Sequence, residues 1–193
     1  MTPVDPEALR AAFRVLDALQ DLDIPYHLGG SYASAIHGIP RQTHDVDLVV
    51  DLALDRIPAL ARALESEFHF DEQAAARAVA DRSNFNLIHY ASGVKVDLFV
   101  KGTSTFDAAE FDRRLTARLG QESAREVFVK SAEDTVLRKL LWYRMGDEVS
   151  DRQWEDVHGI VAIQGERLDR DYLATWAERL DLGDLLERLL GDD

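Results

Sequence analysis

Apolar residues recur at Leu9, Phe13, Leu16 and Leu19, with Ala8, Ala12 and Ala18 between them. That is helical spacing with one apolar face, over residues 5–22. Asp5 is placed to cap this helix, and Pro6 suits its first turn. A short strand is expected at 26–28, then a helix over 31–37 stopped by Gly38. Over 45–50, Val46, Leu48 and Val50 alternate with more polar neighbours, the period-2 pattern of a strand with one core face. Helices follow at 54–64 and 71–81, with a short strand at 68–70. Residues 85–90 and 94–100, joined through Ser92-Gly93, give the clearest hairpin signal. In its second strand Val94, Val96, Leu98 and Val100 share one face, and Lys95, Asp97 and Phe99 the other. A helix is expected over 105–119 and a strand at 126–129. From Ser131 onward the pattern is helical: a helix ended by Gly146, then others near 151–164, 171–180 and 184–190. The composition shift near 125–130 divides a mixed α/β part, 1–128, from an all-helical lobe, 129–193. The fold class is α+β, a mixed sheet flanked by helices.

Two carboxylates stand out against this pattern. Asp45 and Asp47 sit two apart on one strand, so they face the same way and repel unless a cation lies between them. Hard oxygen ligands favour Mg²⁺ or Mn²⁺. Upstream, Gly29 and Gly30 close an apolar strand and Ser31 opens a helix. Such a turn offers backbone N–H groups and a positive dipole end to an anion, and Ser31 is placed to cap the helix or to bind a phosphate oxygen. Phosphate cradle and metal carboxylates on neighbouring strands suit a metal-bound triphosphate. The plainer readings are solvated surface carboxylates and a tight turn with no ligand. Asp97 interrupts an apolar strand, where an unpaired charge is costly to bury; its plainer reading is a salt bridge with Lys95. Arg41 is a candidate to neutralise phosphate charge and Thr43 to position the loop. His44 alternates away from the aspartates, and the other histidines have no ligand spacing. Trp142, Trp154 and Trp176 sit at helical positions and read as core.

With 193 residues and no cysteine, the chain has no disulfide framework and no thiolate metal site. Its apolar runs are shorter than a membrane span, and Met1-Thr2-Pro3-Val4-Asp5-Pro6 has no secretion-signal pattern, so the expected location is the cytoplasm. The net charge of −14 repels nucleic acid at long range, so an RNA substrate requires a local basic patch.

Gly29-Gly30-Ser31 followed by Arg41-x-Thr43-x-Asp45-x-Asp47 resembles the signature of the DNA polymerase β-type nucleotidyltransferase superfamily. Within it the spacing is most similar to AbiEii/MenT-like nucleotidyltransferases, the enzymatic toxins of type IV toxin–antitoxin systems. The resemblance implies a nucleotidyltransferase-type sheet and in-line transfer of an NMP from an NTP to an acceptor hydroxyl. It implies divalent metal on Asp45, Asp47 and Asp97, with Asp97 as or near the general base. Ser131-x-Glu133-Asp134-x-x-x-x-Lys139 resembles the third motif of that group, in which a helical lysine reaches the triphosphate; Arg138 is then the surface member of the pair. Asp156, in Arg152-Gln153-Trp154-Glu155-Asp156, resembles the fourth motif with looser spacing and is expected to hold Lys139 or Arg152 in place. The resemblance further implies tRNA or another RNA as acceptor and a cognate antitoxin as partner. Transfer to a small molecule, as by aminoglycoside nucleotidyltransferases, or to a protein is the alternative. A nucleotide- or partner-binding module without turnover is the non-enzymatic one.

Overall fold

The computed structural model describes residues 6–41, 43, 45–120 and 124–191. The expected cap at Asp5 and the orientation of His44 lie outside them. The chain opens with helix α1 (Pro6–Asp21), strand β1 (Tyr26–Leu28), helix α2 (Gly30–His37) and strand β2 (Val46–Val50). Next come α3 (Ile57–Leu64), β3 (Phe68–His69), α4 (Glu72–Asp81) and the hairpin β4 (Asn84–His89) and β5 (Lys95–Val100). After α5 (Thr105–Asp112) a second hairpin is formed by β6 (Leu115–Leu119) and β7 (Arg125–Val129). Helices α6 (Ala132–Met145), α7 (Asp151–Gln164), α8 (Arg170–Arg179) and α9 (Gly183–Gly191) complete the chain.

Local chemistry sets the boundaries. The Asp71 side chain accepts from the Gln73 and Ala74 amides and so starts α4. Ser104 and Asp107 form a reciprocal capping box on α5. Ser131 caps α6 through the Asp134 amide. The helix expected over 54–64 is a 3₁₀ turn, Leu54–Arg56, that becomes α-helical only where Pro58 can occupy a first-turn position.

Among the described residues the strands form one mixed sheet in the order β3-β4-β5-β2-β1-β7-β6. β2 runs parallel to β5, and β1 parallel to β7; the other pairs are antiparallel. The parallel pair places Val46, Leu48 and Val50 beside Val96, Leu98 and Val100. All six are buried, packed with α1, α3 and α4 into the first hydrophobic core. Each such side chain contributes about 1.5–3 kcal/mol of burial, which fixes the register and hence what the opposite face presents.

The expected helix over 105–119 is half wrong. α5 ends at Asp112, and Leu115–Leu119 pair along their whole length with β7. Leu, Ala and Arg favour helix in isolation, but the ladder with β7 and burial of Leu119 override that preference. A second core gathers α6 to α9 together with Phe106 of α5. The two parts meet where α2 ends. A Cβ on Gly38 would lie 2.7 Å from the backbone nitrogen of Ile160 and 2.8 Å from the carbonyl carbon of Gly159, so main chain touches main chain. His37 Nε2 donates to the Lys130 carbonyl at 2.6 Å, and Gln164 donates to the His37 carbonyl.

Candidate functional site

Asp47 and Asp97 are direct register partners on the parallel pair β2–β5, and Asn86 of β4 continues their row. Asp45 lies two residues before Asp47 and is exposed. The glycine turn is built against Asp47. Gly29 N–H donates to the Asp47 carbonyl at 2.9 Å. Gly30 has φ +50°, and a Cβ there would stand 1.8 Å from Asp47 Oδ2. Only glycine both adopts that backbone and leaves room for the carboxylate. Burial pushes the Asp47 carboxyl above its ordinary range, and the nearby charges of Asp97 and Asp45 add to the effect, offset by Lys139 and Lys95. A divalent cation would relieve that repulsion, so the donor chemistry suits a hard metal. The side chains are not gathered into a finished cage. Asp97 is ion-paired to Lys95 Nζ at 2.9 Å, and among the described residues no group of three His, Cys, Asp or Glu side chains is arranged to hold a metal. Lys95 sits on Asp97 Oδ2, so an ion bound by this carboxylate competes with the Lys95 ammonium for its charge.

Helix α2 begins one residue earlier than its sequence suggested. Gly29 is the N-cap and offers no side chain, so the first turn has no side-chain cap. Ser31 therefore does not cap the helix; its hydroxyl accepts from Arg41 Nη2 at 2.5 Å. Arg41 also pairs with both oxygens of Asp156, at 2.8 and 3.1 Å. The buried Lys139 donates to Asp156 at 2.7 Å and to Gln153 at 2.9 Å. Asp156 thus holds Lys139 and Arg41 together, whereas Arg152 is exposed on the helix surface. Burial raises the Asp156 carboxyl, but hydrogen bonds from Arg41 and Lys139 outweigh it and leave the group below its ordinary value. Burial holds the Lys139 ammonium below its ordinary value, with Asp156 and more distant Asp47 opposing the shift. Thr43 is buried and its hydroxyl donates to the Asp45 carbonyl at 3.3 Å, anchoring the entry to β2.

A cleft of about 560 Å³ runs from Gly29, Gly30 and Asp47 past Phe99 and Trp142 to Arg82 and Lys101. Lys130, Glu110, Asp107 and Arg138 form another side of it. Glu110 pairs with the buried Lys130 at 2.6 Å and with Arg138, which also reaches Asp107 at 2.8 Å. Arg138 is therefore not the surface partner of Lys139; it lines the cleft. Beneath this network, burial and then the Lys130 charge push the His27 imidazole down to about 3, with Glu110 opposing. Trp142, expected in the core, is only half-buried and faces the cleft beside Phe99. Lys130, Glu110 and Trp142 come from separate elements with no shared spacing. The only sequence signal for Lys130 was a cation placed directly before the Ser131 cap.

No family model matches the chain, and no curated protein does. Solved structures do. The antibiotic-resistance factor ANT(2'')-Ia in solution aligns over 98% of this chain and 100% of its own, with 15% identity and a TM-score of 0.59. The same protein in complex with adenylyl-2''-tobramycin aligns over 91% and 99%, with 14% identity and a TM-score of 0.58. An antigenic nucleotidyltransferase-like protein from Paracoccidioides brasiliensis aligns over 97% and 94%, with 20% identity and a TM-score of 0.55. The mixed sheet, the glycine turn seated on Asp47 and these likenesses give the chain the α+β fold of nucleotidyltransferases, with a helical C-terminal region.

Proposed function

We propose that this chain transfers an NMP from an NTP to an acceptor hydroxyl. The observation that carries the reading is the in-register adjacency of Asp47 and Asp97 beside a glycine turn that only glycine can form. In the reaction the acceptor oxygen bonds to the α-phosphorus, the bond to the bridging α–β oxygen breaks, and pyrophosphate leaves. Asp45, Asp47 and Asp97 would hold Mg²⁺ or Mn²⁺, which supplies Lewis-acid stabilisation of the transferring phosphoryl group. Gly30 and the rest of the first turn of α2 present N–H groups to the β- and γ-phosphates, while Gly29, its own N–H bonded to the Asp47 carbonyl, seats that turn on the carboxylate strand. Asp97, released from Lys95, takes the acceptor proton. Arg41 and Lys139, positioned by Asp156, add positive charge beside the triphosphate, and Thr43 keeps Asp45 in line. Positioning and electrostatics carry this class of reaction.

For the acceptor we favour an RNA end, as in the AbiEii/MenT-like toxins that the motifs resemble, with a cognate antitoxin as partner. What supports this is the balance of charge in the cleft: Arg82 and Lys101 at its rim, with the carboxylate-paired Lys130 and Arg138, outnumber Asp47, Asp107 and Glu110 in a chain of net charge −14. Its carboxylates Asp107 and Glu110 are already paired with Arg138 and Lys130, which serves a polycationic acceptor poorly. The second reading is a small-molecule acceptor, favoured by the full-length likeness to ANT(2'')-Ia. Labelled NTPs incubated with total RNA, cell protein and small-molecule pools separate the readings by which pool takes up label. Asp47→Asn is expected to abolish transfer in a folded protein; undiminished transfer by that variant refutes the proposal.

A further inference from the structure

Phe99 lies one step along the sheet from the carboxylate row: its register partners are Val49 on β2 and Asn84 on β4. That step is roughly 7 Å, two residues of strand rise. Trp142 of α6 reaches over from the helical side, its ring 6.3 Å from that of Phe99 and tilted by 38°. Both rings are half-buried and both line the cleft that begins at Gly29, Gly30 and Asp47. Two aromatic rings kept partly in solvent at the side of a cleft are not needed to close either hydrophobic core, whose members lie elsewhere. The rim beside them is polar and cationic. Asn84 is exposed and carries both a donor pair and an acceptor. Lys101 is tied to Asp51 at 3.1 Å, and Arg82 donates to the Lys101 carbonyl at 3.3 Å.

We infer that Phe99 and Trp142 form a stacking subsite for the base of the incoming nucleotide, with Asn84 at its hydrogen-bonding edge. The inference rests on the nucleotidyl-transfer reading. A nucleoside triphosphate is one covalent body, and the cleft joins the phosphate-accepting turn to the aromatic pair without interruption. A planar π-face matches the rings, and a mixed donor–acceptor edge matches the Asn84 amide. A sugar offers hydroxyl donors and acceptors but no planar π-face, and ammonium groups would face Arg82 and Lys101.

The test is calorimetric binding in Mg²⁺ of each NTP and of inorganic tripolyphosphate to the full chain. Wild type is compared with Trp142→Leu and with Phe99→Leu, two variants that retain apolar volume; urea midpoints identify the folded ones. Loss of one stacking face is expected to weaken NTP binding by about tenfold or more, while tripolyphosphate affinity stays within about twofold. NTP binding unchanged in a folded variant overturns the subsite, as does equal weakening of NTP and tripolyphosphate. A raised KM for acceptor with unchanged NTP affinity overturns it too, by assigning the rings to the acceptor. Wild type that binds NTP and tripolyphosphate equally well refutes the subsite alone; wild type that binds neither refutes the nucleotidyl-transfer reading as well.

Discussion

Two adjacent glycines make opposite predictions. Gly30 has φ +50°, and an alanine Cβ there would stand 1.8 Å from Asp47 Oδ2, 2.6 Å from its Cγ and 2.9 Å from its Cβ. The backbone alone costs roughly 1–2 kcal/mol for an L-residue in the left-handed region. The carboxylate must also retreat by about 1.6 Å or more to reach ordinary contact, and a displacement of even about 1 Å at a reacting centre costs on the order of 10²-fold in rate. Gly29 has φ −124°, and an alanine Cβ there would meet nothing nearer than Lys130 Cε at 3.9 Å. Its N–H bond to the Asp47 carbonyl survives the change. Gly30→Ala is therefore expected to lower kcat/KM about 100-fold and stability by about 1–3 kcal/mol. Gly29→Ala should stay within about 1 kcal/mol and keep most of its activity. Urea unfolding and turnover of labelled NTP measure both quantities on both variants. If Gly30→Ala matches wild type, or if Gly29→Ala is equally damaging, the argument that this turn is shaped around the Asp47 carboxylate is wrong.

Three further outcomes follow from the ion pairs. Asp156→Ala strands the buried Lys139 ammonium and is expected to cost about 3–5 kcal/mol in urea unfolding, whereas Arg152→Ala, on the surface, should change stability by no more than about 0.5 kcal/mol; equal effects would remove Asp156 from its central place. Lys95→Met takes away the cation 2.9 Å from Asp97, so the Mg²⁺ concentration for half-maximal NTP turnover should fall severalfold; an unchanged Mg²⁺ titration argues that Asp97 is no ligand. His27 is held neutral, with its pKa down at about 3 against an ordinary 6.5. Its contribution to stability is complete above pH 6.5, where neither folded nor unfolded chain protonates it, and is lost as pH falls toward 3, because the unfolded chain takes up the proton first. The slope is about 1.4 kcal/mol per pH unit inside that window. His27→Gln should flatten the acid limb of a stability–pH curve by close to one proton; an unaltered limb would show that other groups set it.

The strand–turn–helix–strand unit around Asp47 was legible because its signals are local. Alternation of Val46, Leu48 and Val50, two glycines and a stop at Gly38 each act within a few residues. Alternation gave the faces of the two strands but not that they are neighbours; the convergence of Asp97 with Asp47 was implied by the family resemblance alone, and their register is set by the burial of the valines and leucines on the opposite face. The helix capped by Ser131 was equally plain. Residues 113–119 misled because their side chains favour helix, while the decisive partner, β7, lies further along the chain. The cap of α2 was misplaced by two residues, since Gly29 and not the Ser31 hydroxyl stands at its N-cap. The cationic side of the cleft was hidden for a different reason. Lys130, Glu110 and Arg138 come from three elements, and only folding shows that a buried carboxylate holds two cations at one opening.

The contact between Gly38 and Gly159 sets how closely α2 and α7 can approach. The jaws of the molecule, sheet with α2 on one side and the C-terminal helices on the other, touch there through bare peptide units, with no side chain as a spacer. Their separation at this point is thus already at its minimum. A single added methyl at residue 38 would act as a wedge, forcing α7 outward and carrying α6 with it. That movement is costly, because what stands in the way is main chain and not the yielding end of a side chain, so a glycine at 38 and the backbone of 159–160 lock the two layers at this spacing.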